Sequence, residues 1–373
     1  MSTVRQISWG PHPPPSFREY VSLMNGDNVA NPGPMDSLVL LGDSLFQHAF
    51  SQGLDRTGQL IGSFGPRLSE AYIRRLDVLN RGLSGYNTRK VLSLLESDRR
   101  PVPGQNVRFA VILLGANDSR LPDTPGEPQQ HVPLEEFGEN LGKIVALVKS
   151  QAKPRNIVLI TPPPVDERLT VEADSAKHLE LEGVVRRKAV VTAQYARCVR
   201  EVAREKGIAL VDIWGVMMEK AGYRDASLRT GSDLELGTAY LDEHSHADWD
   251  SRAGAAGYNE HTLPGSSAAP VNEVLQSYLH DGLHFTRKGY DLLFDELMSV
   301  VEKEFPDQMP DKLPFVMPAW DDGSAWDGQQ RLHGNMKSDA HMKKRANEAW
   351  AEGLGAGFAS CCMLYAVWWI ITR

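Results

Sequence analysis

Five short, largely apolar runs constrain this chain more than any other feature. They fall at 37–41, 76–79, 109–114, 157–161 and 208–213, each bounded by Gly, Pro, Asn or charged residues. Continuous apolar runs of this length mark parallel strands covered on both faces, where neither side of the sheet meets water. Helical patterns lie between and after them. Residues 134–149 carry acids in the first turn and a lysine in the last, as the helix dipole favours. Residues 185–206 repeat apolar positions at helical spacing and stop at Gly207, a C-cap residue. Residues 288–304 form a third amphipathic pattern, with Thr286 as its N-cap. Strand–helix alternation repeated five times predicts an α/β fold: a three-layer α/β/α sandwich around a five-stranded parallel sheet.

The expected organisation is one α/β domain over 36–305, preceded by an irregular leader at 1–35. A Gly-, Ser-, Ala- and Asp-rich insert of weak periodicity is expected at 226–278. A polar, loosely packed tail is expected at 306–352, then an apolar segment at 353–373. The 373 residues are 42% hydrophobic and 24% charged, the balance of a soluble globular protein. A net charge of −8 argues against nucleic acid as a partner, which would need a concentrated basic face. The densest basic run, Lys343-Lys344-Arg345, is too short to provide one. Three cysteines, Cys198 and the adjacent Cys361-Cys362, form no readable disulfide framework, and the N-terminal stretch lacks the apolar core of a signal peptide. The expected compartment is therefore intracellular and reducing, that is, cytoplasmic. The last 20 uncharged residues, 353–372, approach the length of a membrane span, with Lys343-Lys344-Arg345 on the cytosolic side. Their glycines and cysteines weaken that reading. A tail anchor to an intracellular membrane, a helix lying on a surface, and neither of these remain three open alternatives.

In an open parallel sheet, ligands bind where the strands end, so the residues just past each run matter most. After the first comes Gly42-Asp43-Ser44-Leu45; after the second, Asn80-Arg81-Gly82-Leu83-Ser84-Gly85; after the third, Gly115-Ala116-Asn117-Asp118. Beyond the fifth run and the insert comes Asp281-Gly282-Leu283-His284. Ser44, just past a strand and opening a helix, is placed to present its hydroxyl at the rim of the sheet. A hydroxyl is a poor nucleophile until a base removes its proton. His284 is the base candidate, and Asp281, three residues earlier, is placed to hold Nδ1–H so that Nε2 faces the serine. Backbone N–H groups of Ser44 and Gly85 and the Asn117 amide are the candidate oxyanion donors. Asp43 and Asp118 are assigned structural hydrogen-bonding roles. Arg81 and Arg89 read as surface or acid-paired residues. No metal or organic cofactor is expected. Within the insert, His244, His246, Asp248 and Asp250 have spacing that zinc tolerates, but no closed ligand set accompanies them. They read as a solvated loop, with a lid over the site as the alternative.

The ordered blocks GDSL, NRGLSGYNT, GAND and DGLH resemble those of the SGNH hydrolase superfamily. The longer strings VLNRGLSGYNTR, GANDS, QHVPLEEF, ITPPP and DGLHFTRKG are similar to its isoamyl acetate-hydrolysing esterase group. The likeness covers about 37–305, interrupted by the insert. The resemblance implies a flavodoxin-like sandwich and a serine esterase acting on small carboxylic esters, acetate esters of short or branched alcohols first. It maps the nucleophile onto Ser44, the oxyanion donors onto Ser44, Gly85 and Asn117, and the acid and base onto Asp281 and His284. Alternatives on the same scaffold are a thioesterase, a lysophospholipase or a carbohydrate deacetylase. A non-catalytic, membrane-tethered binding protein is the more distant one.

Overall fold

Residues 35–97, 101–104, 106–126, 129–223, 258, 260–317 and 319–321 are described by a computed structural model. The five apolar runs become five strands: β1 (Asp36–Gly42), β2 (Leu76–Gly82), β3 (Val107–Leu113), β4 (Asn156–Ile160) and β5 (Ala209–Val211). All neighbours pair in parallel, in the order β2-β1-β3-β4-β5. This is the flavodoxin-like order, in which the chain reverses its direction of travel across the sheet between β1 and β3.

Alternation along the strands divides the core into two. Leu38 and Leu40 of β1, Phe109, Val111 and Leu113 of β3, and Val158 and Ile160 of β4 enter one apolar cluster. Val39 and Leu41, Ala110 and Ile112, and Ile157 and Leu159 enter the other. Successive side chains of a strand point to opposite faces, so every position on a strand buried on both sides must be apolar. That requirement explains why the runs are continuous.

Helices α1 (Ser44–Gln47), α2 (Phe64–Ala71), α3 (Thr88–Glu96), α4 (Leu134–Ala152), α5 (Glu167–Lys177), α6 (Ala189–Lys206), α7 (Ile213–Lys220), α8 (Glu273–Tyr278) and α9 (Arg287–Glu304) join them. Phe64 and Leu68 of α2 and Tyr290, Leu293 and Leu297 of α9 cover the first face. Val91 of α3, Phe137 and Ile144 of α4, and Tyr195 and Val199 of α6 cover the second. The three helices expected from periodicity are α4, α6 and α9. Gly207 closes α6 in the left-handed conformation, φ +59°. Thr286 caps α9, its side chain accepting from Gly289 N.

Two expectations are corrected where residues are described. The insert expected over 226–278 gives way to packed structure from 260 onward. Leu263 and Leu275 are fully buried there, and Asn272 caps α8 by accepting from Leu275 N. The anchors are single apolar residues among Pro, Gly and Ser, with no period to reveal them. The loose packing expected from 306 does not hold over 306–317. Leu313 and Phe315 are buried, the guanidinium groups of Arg74 and Arg75 lie 4.1 and 3.7 Å from the Phe315 ring centroid, and Val316 N donates to Arg74 O. Cation–π contacts of this kind hold a polar segment without a long apolar run.

Residues 1–34, 224–257 and 322–373 lie outside the described residues. The expectations for the leader, the His244–Asp250 region, a lid and the apolar C-terminal segment fall there. Among the described residues, no helix is long and apolar enough to cross a membrane.

The β1–α1 corner is built with no spare room. A Cβ added at Gly42 would lie 2.4 Å from Leu113 O on β3 and 2.9 Å from the Phe46 ring. Gly42→Ala is therefore expected to lower unfolding free energy by about 1–3 kcal/mol, the usual range for overpacking. A fall in urea midpoint at unchanged m-value checks it; an unchanged midpoint would contradict it.

Candidate active site

The corner after β1 is held from every side. Asp43 caps α1, its Oδ1 accepting from Leu45 N at 2.9 Å. Asn80 Nδ2 donates to Phe46 O at 2.8 Å, Ser84 N donates to Gln47 Oε1 at 2.8 Å, and the buried Tyr290 hydroxyl donates to Leu45 O. Ser44 stands at the first helical position, where its N–H has no acceptor within the helix. It is only 5% exposed, so its hydroxyl faces the cleft and little else.

The second part is a tight loop before α9. Leu279 and Phe285 form an antiparallel bridge, His280 N donates to His284 O at 2.6 Å, and Thr286 N donates to Tyr278 O at 2.9 Å. Gly282 sits inside it at φ +84°, where a Cβ would come within 2.5 Å of Asp166 O. Only glycine takes that conformation and that approach together. The loop brings His284 Nε2 to 2.8 Å from Ser44 Oγ, across 240 residues of sequence. On the other side of the ring, Nδ1 lies 2.9 Å from Asp281 Oδ2 and 3.1 Å from Oδ1. Asp281 Oδ1 also accepts from His284 N at 2.9 Å and Leu283 N at 3.2 Å. Burial alone would raise the Asp281 pKa. The His284 ring, the His284 N–H and Lys177 (Nζ 3.8 Å from Oδ2) outweigh it and hold the carboxylate well below its ordinary range. The edge of His48 meets the His284 ring at 5.6 Å between centroids, and burial with that neighbour lowers the His48 pKa.

The third part is the pair of loops after β2 and β3. Gly85 adopts φ +78°, and its carbonyl accepts from Gln130 Nε2 at 3.2 Å. Asn117 is buried, with its Nδ2 donating to Tyr86 O at 2.8 Å. Its Oδ1 accepts from Arg187 Nη2 at 3.3 Å, and Arg187 Nη1 donates to Ala116 O. Gly85, Asn117, Gln130 and Arg187 line a cleft of about 220 Å³ together with Ser44, His284 and Lys177. Desolvation draws the Arg187 guanidinium down to about 10.

The structure therefore brings Ser44, His284, Asp281, Gly85 and Asn117 to one cleft at the carboxyl ends of the strands. Asp43 and Asp118 lie beneath, fully buried. Asp118 Oδ1 accepts from Thr88 N at 2.8 Å and from Thr88 Oγ1 at 2.5 Å, tying the loop after β3 to the start of α3. Burial pushes Asp43 up to about 7 and Asp118 up to about 6. Arg89 pairs with Glu136, and Arg81 Nε donates to Pro101 O, so both serve packing. Sequence reasoning missed Arg187, Lys177 and Gln130. Arg187 sits in Val-Val-Arg-Arg-Lys, a string with no motif, and only the tertiary fold shows where it points.

The chain is similar to several known proteins. The model of the GDSL-like Lipase/Acylhydrolase family matches residues 40–234. The isoamyl acetate-hydrolyzing esterase 1 homolog of Bos taurus is 32% identical over 298 residues, covering 79% of this chain and 91% of the bovine one. The isoamyl acetate-hydrolyzing esterase of Saccharomyces cerevisiae is 26% identical over 294 residues, covering 78% of this chain and 97% of its own. The lipase/acylhydrolase from Enterococcus faecalis, a solved structure, superposes with a TM-score of 0.42 at 19% identity, covering 72% of this chain and 97% of that one. The chain belongs to the GDSL-like lipase/acylhydrolase family. It is a carboxylic ester hydrolase of that family.

The raised Asp43 pKa has a consequence for stability. Its folded pKa of about 7 lies above the unfolded value of 3.8, so the folded state holds the proton more tightly. Its stabilising contribution is fully present below pH 3.8 and is lost as pH rises through about 7. Asp43→Asn keeps an acceptor for Leu45 N and removes the titration. Unfolding free energy measured from pH 5 to 8 should shift in favour of the variant, relative to the parent, as pH rises. A pH-independent difference would contradict the assignment.

Proposed function

We propose that the chain is a serine esterase of small carboxylic esters, with Ser44 as nucleophile, His284 as general base and Asp281 as the group that orients the imidazole and stabilises its protonated form. The observation carrying this reading is the unbroken line from Ser44 Oγ to His284 Nε2 (2.8 Å) and from Nδ1 to Asp281 Oδ2 (2.9 Å). With the proton on Nδ1, Nε2 accepts the serine proton as Oγ attacks the ester carbonyl. The low pKa of Asp281 keeps it an anion, which stabilises the imidazolium formed in that step. The oxyanion accepts from Ser44 N–H, Gly85 N–H and Asn117 Nδ2. His284 then returns its proton to the departing alcohol oxygen, leaving an acyl-Ser44. Water deprotonated by His284 attacks that acyl carbon and releases the acid and the free serine.

Acetate esters of short or branched alcohols are the proposed substrates. The names of the bovine and yeast relatives support this class.

Ser44→Ala should lower kcat on p-nitrophenyl acetate about 10⁴-fold or more with the far-UV spectrum retained. Near-normal turnover would remove Ser44 from the nucleophile role. Across p-nitrophenyl esters, acyl-CoA thioesters and acetylated sugars, kcat/KM should be highest for p-nitrophenyl acetate. Preference for long acyl chains, thioesters or sugars would contradict the substrate class.

A further inference from the structure

The Arg187 side chain stands apart from the other cleft-wall cations. Arg186 is paired with Asp174, Nε to Oδ2 at 2.7 Å, and Lys177 lies beside Asp281. The Arg187 guanidinium instead donates to the loop that carries Asn117: Nη1 to Ala116 O, and Nη2 to Asn117 Oδ1 at 3.3 Å. Its backbone is held on both sides. Leu121 N donates to Arg186 O at 2.9 Å, and Glu167 Oε1 accepts from Ala189 N at 2.9 Å as α6 begins. A side chain on a fixed stem, 70 positions away in sequence, thus reaches the loop after β3.

The chemistry of the Asn117 amide makes this contact decisive. A carboxamide has two orientations of nearly equal shape, with oxygen and nitrogen exchanged. Tyr86 O can only accept, and the guanidinium can only donate. With both in place, a single orientation satisfies the site: Nδ2 toward Tyr86 O, and Oδ1 toward Arg187. Exchanging the two would set oxygen against oxygen and NH₂ against guanidinium. Nδ2 has two hydrogens. One is used by Tyr86 O, and the second remains for the cleft that Asn117 lines. A charged donor on Oδ1 also draws electron density from the amide and strengthens its N–H as a donor.

The geometry points to Arg187 as a positioning residue for the oxyanion donor: it fixes the Asn117 carboxamide with its N–H toward the reacting carbonyl and brings a positive charge close behind it. The inference rests on the proposed oxyanion role of Asn117. The role assigned to Arg187 is exercised through Asn117, because one hydrogen of each of its terminal nitrogens is given to the loop that carries Asn117. Its effect therefore belongs to kcat rather than KM.

A double-mutant cycle in the full-length chain tests this with p-nitrophenyl acetate. Arg187→Met should lower kcat about 10–100-fold, the usual effect of misplacing a catalytic group by a fraction of an ångström to an ångström, with KM changed less than threefold. Arg187→Lys, which keeps the charge and loses the fork, should recover part of the loss. Asn117→Ala alone should lower kcat about 10²–10³-fold. In the Asn117→Ala background, Arg187→Met should change kcat less than threefold, since the group it positions is gone. An equal loss in both backgrounds overturns the inference, and so does an effect confined to KM. If Asn117→Ala leaves kcat intact, the oxyanion assignment itself fails. If Asn117→Ala lowers kcat and Arg187→Met does not, the assignment stands and only the positioning role falls. Thermal melts identify a variant that fails to fold, in which case Arg187→Lys, alone and with Asn117→Ala, is read by the same criterion.

Discussion

One contact, Ser44 Oγ to His284 Nε2, depends on nearly every element of the fold. Its two residues are 240 positions apart and come from opposite ends of the domain. Their separation must stay within a few tenths of an ångström for a proton to pass between them. Such precision comes from rigid elements. Ser44 is fixed by the end of β1, the cap of Asp43 and the hydroxyl of Tyr290 on α9. His284 is fixed by the Leu279–Phe285 bridge at the start of the same α9. Helix α9 thus ties Ser44 and His284 together: Thr286 caps it beside His284, and Tyr290 near its start supports the corner that holds Ser44.

The buried charges around that contact arise from the same demand. Asp43 and Asp118 sit directly before Ser44 and after Asn117, with backbone N–H groups and the Thr88 hydroxyl as partners. Burial raises both pKa values, whereas the hydrogen-bonded Asp281 beside His284 is held low. Carboxylates of one site are thereby separated by environment into an anion that faces the imidazole and two groups that shape the turns. Separation of this kind is how neighbouring acids take different roles at one pH.

Much of this was legible in the sequence, and the reasons are physical. Strands covered on both faces must be apolar throughout, so β1, β3 and β4 appear as unbroken runs. Residues that cluster at strand ends lie beside those runs, so Ser44, Gly85 and Asn117 stand out in the sequence, whereas Asp281 and His284, far beyond β5, stand out by their mutual spacing and the resemblance of their block. Helices with long amphipathic faces, α4, α6 and α9, were visible for the same reason. The hidden parts depend on isolated tertiary anchors. Leu263, Leu275 and Phe315 lie in stretches without period, where single apolar side chains are buried among polar neighbours. Arg187 was invisible because an arginine's reach to a loop 70 residues away leaves no local pattern.

The central claim is that Ser44 is activated by His284, and covalent labelling tests it most directly. A fluorophosphonate probe reacts with a serine whose hydroxyl is deprotonated in place and leaves ordinary serines untouched. Peptide mapping of the labelled protein should find the adduct on Ser44, and His284→Ala should abolish it while the protein stays folded. An adduct on another serine, or undiminished labelling of Ser44 without His284, would contradict the account.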